Sequence, residues 1–498
     1  MKPNIILIIT DQQRFDTLNA AGYEHMITPN LDKLYQGSVV FEQAYCPAAT
    51  CVATRAALFT GMYPHNTGVY GFKNWSHQSS WVQDLADDGY HCVNLGKMHI
   101  MPIYENIGFH ERRVVENKNL PFLKYHRPDD EWGNFLHHHG LTRPMDRHIT
   151  DEDWLDKYQA VDWEYDERFH SDAFVGDMAL SWLEKWDQFR PLFLQIGFPG
   201  PHDPYDPPSR FLDLYKDIEM PAPIYKEGEL EQKPPQQKGH REAFKSRTTH
   251  ESKIDIEKAS DNDIKRVRKH YCANITLIDE KIGQIINLLQ QNGMLENTVF
   301  IFTSDHGDNL GDHKLPYKWL MYDTVTRVPL LIKDFRQESN TTRIEDLVSL
   351  IDLGPTILEI VGTQIPTYIE GKSLVDYLET GKSDNPSQYV YAEDNYLVMI
   401  RSCDYKLVYY IDQPYGELYE LRCDPWELNN LWDFEAYEAV KVKLKEELLA
   451  WVSKSNYFNA GYKQTRSKDY KMIWPEEDDF RLIAQYSHLS ISQKALPK

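Results

Sequence analysis

The sequence predicts an α/β fold: a large mixed, mostly parallel sheet flanked by helices, followed by a smaller C-terminal α+β part. Three observations predict it. Short runs such as NIILIIT at 4–10 and TVFIFT at 298–303 are apolar throughout, as strands covered on both faces are. Helical patterns lie between them. After about residue 380 the runs become shorter and alternate with turn residues.

In chain order, the first strand at 4–10 leads to a helical stretch from Pro29 to Gly37, with Pro at its start and Gly at its end. YHCVNLG at 90–96 reads as a strand, and Asp172 to Trp186 as a helix leading into the strand LFLQIGF at 192–198. Ala273 to Gln291 carries ITLIDEKIGQIINLL on a 3.6-residue period, and two further strands follow, TVFIFT and VPLLIK at 328–333. QYVYAEDNYLVMIRSCDYKLVYYI and ELYELRCDP read as antiparallel strands ahead of a helix at about 434–454. The expected division is 1–380 as the main domain and 381–498 as a C-terminal α+β subdomain and tail. Within the first, 110–170 is rich in Trp, Tyr, His and Asp without clean periodicity, and 200–265 is polar and Pro-rich. Both read as insertions, the first near the functional site. The aromatic final 40 residues are expected to wrap over the core or onto a neighbouring subunit, making a homo-oligomer.

At 498 residues the chain is long enough for a large α/β domain with an appended piece, and 41% apolar with 26% charged residues argues against disorder. A net charge of −22 disfavours nucleic acid and anionic membrane as partners, so an anionic ligand needs a locally cationic pocket. The six cysteines, at 46, 51, 92, 272, 403 and 423, form no CxxC pair and fit a reducing compartment. The start, MKPNIILIITDQQ, has only a seven-residue apolar run and no small-residue cleavage site. A cytoplasmic location is therefore expected, unless a leader has been trimmed from a periplasmic or secreted protein.

Ligands in open α/β sheets bind at the carboxyl ends of strands. Four strands here end in residues capable of chemistry: Asp11-Gln12, Lys97 with His99, His202, and Asp305-His306. Singly, each reads as a turn, a helix cap or a structural histidine; caps do not explain why Lys, His and paired acid or amide groups recur at all four. Asp11, Gln12 and Asp305 offer hard oxygen donors, which suit Ca²⁺ or Mg²⁺ better than Zn²⁺, and His306 adds a nitrogen. HHH at 137–139 reads as a polar loop, because three consecutive side chains do not easily converge on one ion. In CPAATCVATRAALFTG at 46–61, a helix starting near Cys51 puts Arg55 one turn on, on the same face. By spacing alone, Cys51 is either a small buried hydrophobe or a reactive group that Arg55 serves.

CVATRAALFTG resembles the signature of the type I sulfatases, a CxPxR or CxAxR core followed by small and apolar residues and Thr-Gly. Other segments resemble the family's elements in order: NIILIITDQQ, ITPNLDKL, GKMH, GFPGPHDPYDPP, TSDHGDNLGDH, KWLMYDTVTRVPLLIK, IDLGPTILEIVG and ELYELRCDPWELNNL. The likeness spans about residues 3–432. DQ at 11–12, GKMH and PHDPY resemble choline-sulfatase-like bacterial members.

The resemblance implies an alkaline-phosphatase-like fold and a sulfuric ester hydrolase. Cys51 would be matured by a formylglycine-generating system, and the hydrate of the resulting aldehyde would be the nucleophile, held on one calcium ion per chain. Asp11, Gln12, residue 51, Asp305 and His306 would form the metal shell. Arg55 and Lys97 would hold the diol, and His99 would be the base that regenerates the aldehyde. His202 and Lys318 would face the leaving oxygen. Three departures stand out: Gln12 where many members have a second Asp, Ala53 for the commoner Pro, and His306 where other members carry Asn. The substrate implied is a small-molecule or saccharide sulfate ester. A phosphonate monoester or phosphodiester hydrolase of the same superfamily is the alternative, disfavoured by GKMH, and an inactive relative binding sulfated ligands is a second.

Overall fold

A computed structural model gives the architecture and describes residues 2–72, 79–103, 105–116, 118, 130–144, 152–245, 254–338 and 340–458. The strands are β1 Asn4–Asp11, β2 Val39–Tyr45, β3 His91–Gly96, β4 Glu111–Val114, β5 Leu192–Pro201, β6 Thr298–Ser304, β7 Leu330–Asp334, β8 Thr342–Ser349, β9 Val390–Asp394, β10 Leu397–Arg401, β11 Tyr405–Tyr410 and β12 Gly416–Glu420. The first eight form one sheet in the order β4-β3-β5-β1-β6-β7-β2-β8, and the last four a second sheet in the order β12-β11-β10-β9. The predicted α/β class and the antiparallel C-terminal strands are both present.

The large sheet is buried because its strands alternate between two apolar layers. Ile5, Leu7 and Ile9 of β1 pack with Leu58, Phe59, Trp81 and Ile357, while Ile6 and Ile8 pack with Val175, Ala179, Ile278 and Ile282. The first layer is closed by helices Cys51–Thr60, Trp81–Asp87 and Leu353–Val361, the second by Ser171–Leu183 and Asp261–Gln291. A strand apolar at every position is what two such layers require.

β7 pairs antiparallel with both β6 and β2, whereas the other neighbours in the large sheet are parallel. The run at 328–333 could not disclose this, since burial on both faces looks the same in either direction. β4 and β8 close the edges and are charged, ERRV and TRIEDLVS, as edge strands are. Residues 111–114, at the start of the stretch 110–170 read as an insertion, form the edge strand β4. The helix predicted from Ala273 begins at Asp261, where Ser260 accepts from Asp263 N and the Asp263 carboxylate accepts from Ser260 N, a capping box. The polar stretch before it also contains a helix, Pro235–Lys245. The chain divides into two compact units, Met1–Lys445 and Glu446–Lys498. The tail expected to wrap over the core or onto a neighbour, 459–498, lies outside the described residues, as do 119–129, 145–151 and 246–253. Among the described residues no helix is long and apolar enough to cross a membrane.

Candidate active site

β3, β5, β1 and β6 are consecutive in the sheet, so their carboxyl ends bring four short segments side by side. Asp11 ends β1 and Gln12 follows it; Lys97 and His99 follow β3, His202 follows β5, and Asp305 and His306 follow β6. The helix Cys51–Thr60 brings Cys51 and Arg55, and the loop between β6 and β7 brings Lys318. All ten of these side chains are buried. The close approach of β3 and β5 depends on glycine: a Cβ on Gly197 would lie 2.0 Å from the Lys97 carbonyl oxygen. Gln12 (φ 69°) and His99 (φ 56°) hold left-handed backbone conformations, which cost on the order of 1 kcal/mol or more each and are concentrated at functional sites.

The charged groups pair closely. Arg55 Nε donates to Asp305 Oδ2 at 2.8 Å and its Nη1 to the Lys97 carbonyl at 3.0 Å, while Nη2 lies 3.5 Å from Asp11 Oδ2. Lys97 Nζ stands 2.5 Å from Asp11 Oδ2, and Lys318 Nζ 3.8 Å from Cys51 Sγ. Cys51 and Arg55, one helical turn apart, thus face the same charged cluster. Three cationic side chains (Arg55, Lys97, Lys318) are gathered beside the carboxylates of Asp11 and Asp305, a local concentration of cationic groups within a chain of net charge −22.

Burial and neighbours set the protonation states. Burial, with Lys318 and Lys97 nearby, holds His202 well below the usual imidazole range; burial and Lys97 do the same to His99, and burial with Lys318 takes His306 down to about 3. These rings are neutral at pH 7. Burial pushes the Cys51 thiol up to about 11 despite Lys318. Burial alone would raise Asp11, but Lys97, His202, Lys318 and Arg55 hold it well below the carboxylate range. Burial and the Asp11 charge push Asp305 up to about 6. Against the cost of its burial, Cys51, Asp11 and Asp305 keep Lys318 protonated.

Asp11, Cys51, Asp305 and His306 each offer a donor atom, and these atoms lie within 4.8 Å of one another. Asp11 Oδ1, Gln12 Oε1 and His306 Nε2 have no hydrogen-bond partner among the described residues. His306 Nδ1 donates to the Gly307 carbonyl at 2.8 Å, which leaves the lone pair on Nε2. Buried, unsatisfied oxygens beside a neutral imidazole are a donor set that fits a hard divalent cation.

The structure brings further residues to the site. The Glu116 carboxylate accepts the His99 backbone N–H at 3.1 Å and lies 3.3 Å from His99 Nε2; burial pushes it up to about 7. Asp308 accepts from Gln12 Nε2 at 2.6 Å and from the Tyr205 hydroxyl at 2.8 Å. Asp308 stands three residues after Asp305 and Tyr205 three after His202, a proximity that could have flagged both; Glu116 had no such signal. His137 and His138 end helix Glu131–His138 and His139 is its C-cap, all three exposed, so the tract read as a polar loop is mostly the last turn of a helix. They are not part of the cluster. Cys46, Cys92 and Cys272 are buried, and Cys403 and Cys423 are exposed.

Residues 3–363 match the family described as Sulfatase, and residues 311–454 that described as N-sulphoglucosamine sulphohydrolase, C-terminal. An arylsulfatase of Clostridium perfringens is 30% identical over 459 residues, covering 88% of this chain and 92% of its own. A choline-sulfatase of Rhizobium meliloti is 29% identical over 479 residues, covering 88% of each. Among solved structures, the phosphonate monoester hydrolase of Agrobacterium radiobacter superposes with a TM-score of 0.80 at 25% identity, over 91% of this chain and 96% of that one.

Proposed function

Because the chain belongs to the sulfatase family, the type I sulfatases of the alkaline-phosphatase-like superfamily, we propose that it hydrolyses sulfate esters through a formylglycine made from Cys51, with calcium held by Asp11, Gln12, residue 51, Asp305 and His306. The observation that carries this reading is the cluster of four donor residues within 4.8 Å, one of them Cys51, at the first turn of the helix that also carries Arg55. A thiol held up at about 11 is almost wholly protonated at neutral pH, so unmodified Cys51 is a poor nucleophile. Its hydrated aldehyde would supply a hydroxyl in place of the thiol, and calcium would supply positive charge for the sulfate oxygens.

The remaining work falls to side chains of the chain itself. Arg55 and Lys97 steady the group at position 51 and offset negative charge, Arg55 through a planar fork already fixed by Asp305 and the Lys97 carbonyl. His99, neutral and held by Glu116, is suited to accept a proton. Lys318, kept protonated, is suited to donate one to the leaving oxygen, with neutral His202 as its companion there. The substrate is a sulfate monoester of a small molecule or a saccharide, drawn in by Arg55, Lys97 and Lys318.

Hydrolysis of a phosphonate monoester is the second reading, supported by the likeness to the phosphonate monoester hydrolase. The resemblance of GKMH, residues 96–99, to the sulfatase element favours sulfate. Two measurements on protein made with a formylglycine-generating system test the proposal. The peptide containing residue 51 should have the mass of the aldehyde, and aryl sulfate should be cleaved faster than phenyl phosphonate. An unmodified thiol in every molecule sinks the nucleophile, and a dominant phosphonate rate replaces the substrate class.

A further inference from the structure

Gln12 is held at nearly every polar atom it has. Its backbone N–H donates to Asp305 Oδ1 at 3.0 Å, its carbonyl accepts the Tyr271 hydroxyl at 2.7 Å, and its side-chain Nε2 donates to Asp308 Oδ2 at 2.6 Å. Oε1 is the exception: it is buried and has no hydrogen-bond partner among the described residues. An amide can be turned over by rotating its last bond, exchanging donor for acceptor at little steric cost. A turned Gln12 would offer N–H groups, and no lone pair, where a cation needs an oxygen.

Asp308 is built to prevent that. Its Oδ2 accepts from two donors, Gln12 Nε2 and the Tyr205 hydroxyl at 2.8 Å, and its Oδ1 accepts the Leu310 backbone N–H at 2.8 Å. A carboxylate saturated with donors accepts an N–H and repels an amide oxygen, so only one orientation of Gln12 is compatible with it. Tyr205 is buried, and burial together with the Asp308 charge holds its phenol well above its ordinary range, so it remains the donor. Position 12 is an amide and brings no charge of its own; the negative charge stands behind it, on Asp308.

We propose that Asp308, steadied by Tyr205, is a positioning residue that fixes the Gln12 amide with its oxygen turned to the cation. The assignment rests on the calcium reading above and goes beyond it, because it names what makes a neutral amide a dependable ligand at this position. Asparagine in place of Asp308 can face Gln12 with either its own oxygen or its own nitrogen, so the orientation is no longer enforced. The arrangement can also be exchanged: with glutamate at 12 and asparagine at 308, the asparagine nitrogen donates to one carboxylate oxygen and the other faces the cation.

Titrate the full chain with calcium alone by calorimetry, and follow the calcium-dependent rise in Tm. Wild type should bind. Asp308→Asn should weaken calcium about 10-fold or more, the usual effect of removing a partner that orients a metal ligand. The exchange variant, Gln12→Glu with Asp308→Asn, should return affinity to or above the wild-type level, and Tyr205→Phe should weaken it by a smaller factor. A merely structural Asp308 would lower Tm equally with and without calcium and would not be rescued by the exchange. Wild-type affinity in Asp308→Asn, or an exchange variant no better than the single one, overturns the proposal. If Asp308→Asn does not fold, unchanged affinity in Tyr205→Phe overturns it. Failure of wild type to bind calcium would instead overturn the calcium reading itself.

Discussion

Arg55 Nε donates to Asp305 Oδ2 at 2.8 Å, and both side chains are wholly buried. The pair links the helix that carries Cys51 to the end of β6. Removing one partner of such a pair leaves a charge uncompensated, at a cost of about 3–5 kcal/mol. Arg55→Ala should therefore lower stability as well as abolish turnover. Arg55→Lys keeps the charge but cannot bond Asp305 and the Lys97 carbonyl through one planar fork. It should fold and lose roughly 10²–10³ in kcat, as removal of a positioned donor does. Chemical denaturation and steady-state kinetics on both variants separate the two effects.

Gly197 lets β5 approach β3 closely enough for Lys97 N to donate to the Gly197 carbonyl at 2.8 Å. A methyl group there would meet the Lys97 carbonyl at 2.0 Å, a backbone atom that no side-chain rotation can move aside. Gly197→Ala should spread the two strand ends and displace Lys97 from Asp11. The expected loss is about 1–3 kcal/mol of stability from overpacking. A larger effect should fall on kcat, roughly 10²-fold for a misplacement near 1 Å. A variant with lower Tm and normal kcat would show that Lys97 tolerates the shift.

Asp11, Lys97, His202 and Asp305 are legible in the sequence because each follows, within a few residues, a strand-like run that marks a central strand. That these strands are neighbours is not legible: β1 and β6 are separated by almost 290 residues, and only the order of the sheet joins their ends. Lys318 lies in the loop between β6 and β7, which has no periodicity, so the sequence marks it only through the segment that resembles the family. Glu116 is hidden for a different reason. An acidic residue in a charged stretch looks like solvated surface, and its burial against His99 is a product of tertiary packing alone.

Calcium affinity should fall as pH drops below about 6, and the dependence should come from Asp305 rather than His306. Burial and Asp11 push Asp305 up to about 6, so below that pH its carboxylate is protonated and must release a proton before binding a cation. His306, taken down to about 3, stays neutral throughout. The sign for the calcium-free protein is opposite: a carboxylate raised on folding makes stability fall as pH rises from about 4 to about 6. The rise in Tm on adding calcium should therefore widen between pH 5 and pH 7. Calorimetry at both pH values checks the affinity, and Asp305→Asn should bind weakly at both with little difference between them.

Asp394 ends β9 and is buried, with Asn395 Nδ2 donating to its Oδ1 at 2.8 Å and no hydrogen-bond partner for Oδ2 among the described residues. Burial pushes it up to about 8, while the Asn395 bond and the Lys318 charge pull the other way. Its folded pKa lies above its unfolded one. Between about pH 4 and pH 8 the folded chain therefore holds more protons at this site, and stability declines as pH rises through that window, by at most about 1.4 kcal/mol per pH unit. Asp394→Asn preserves the shape and removes the titration. The variant should gain on wild type steadily from pH 5 to pH 8 and hold a constant lead above that. Denaturant unfolding at four pH values measures the difference directly. Parallel curves for the two proteins would mean that Asp394 is already ionised in the folded chain, with Lys318 outweighing its burial.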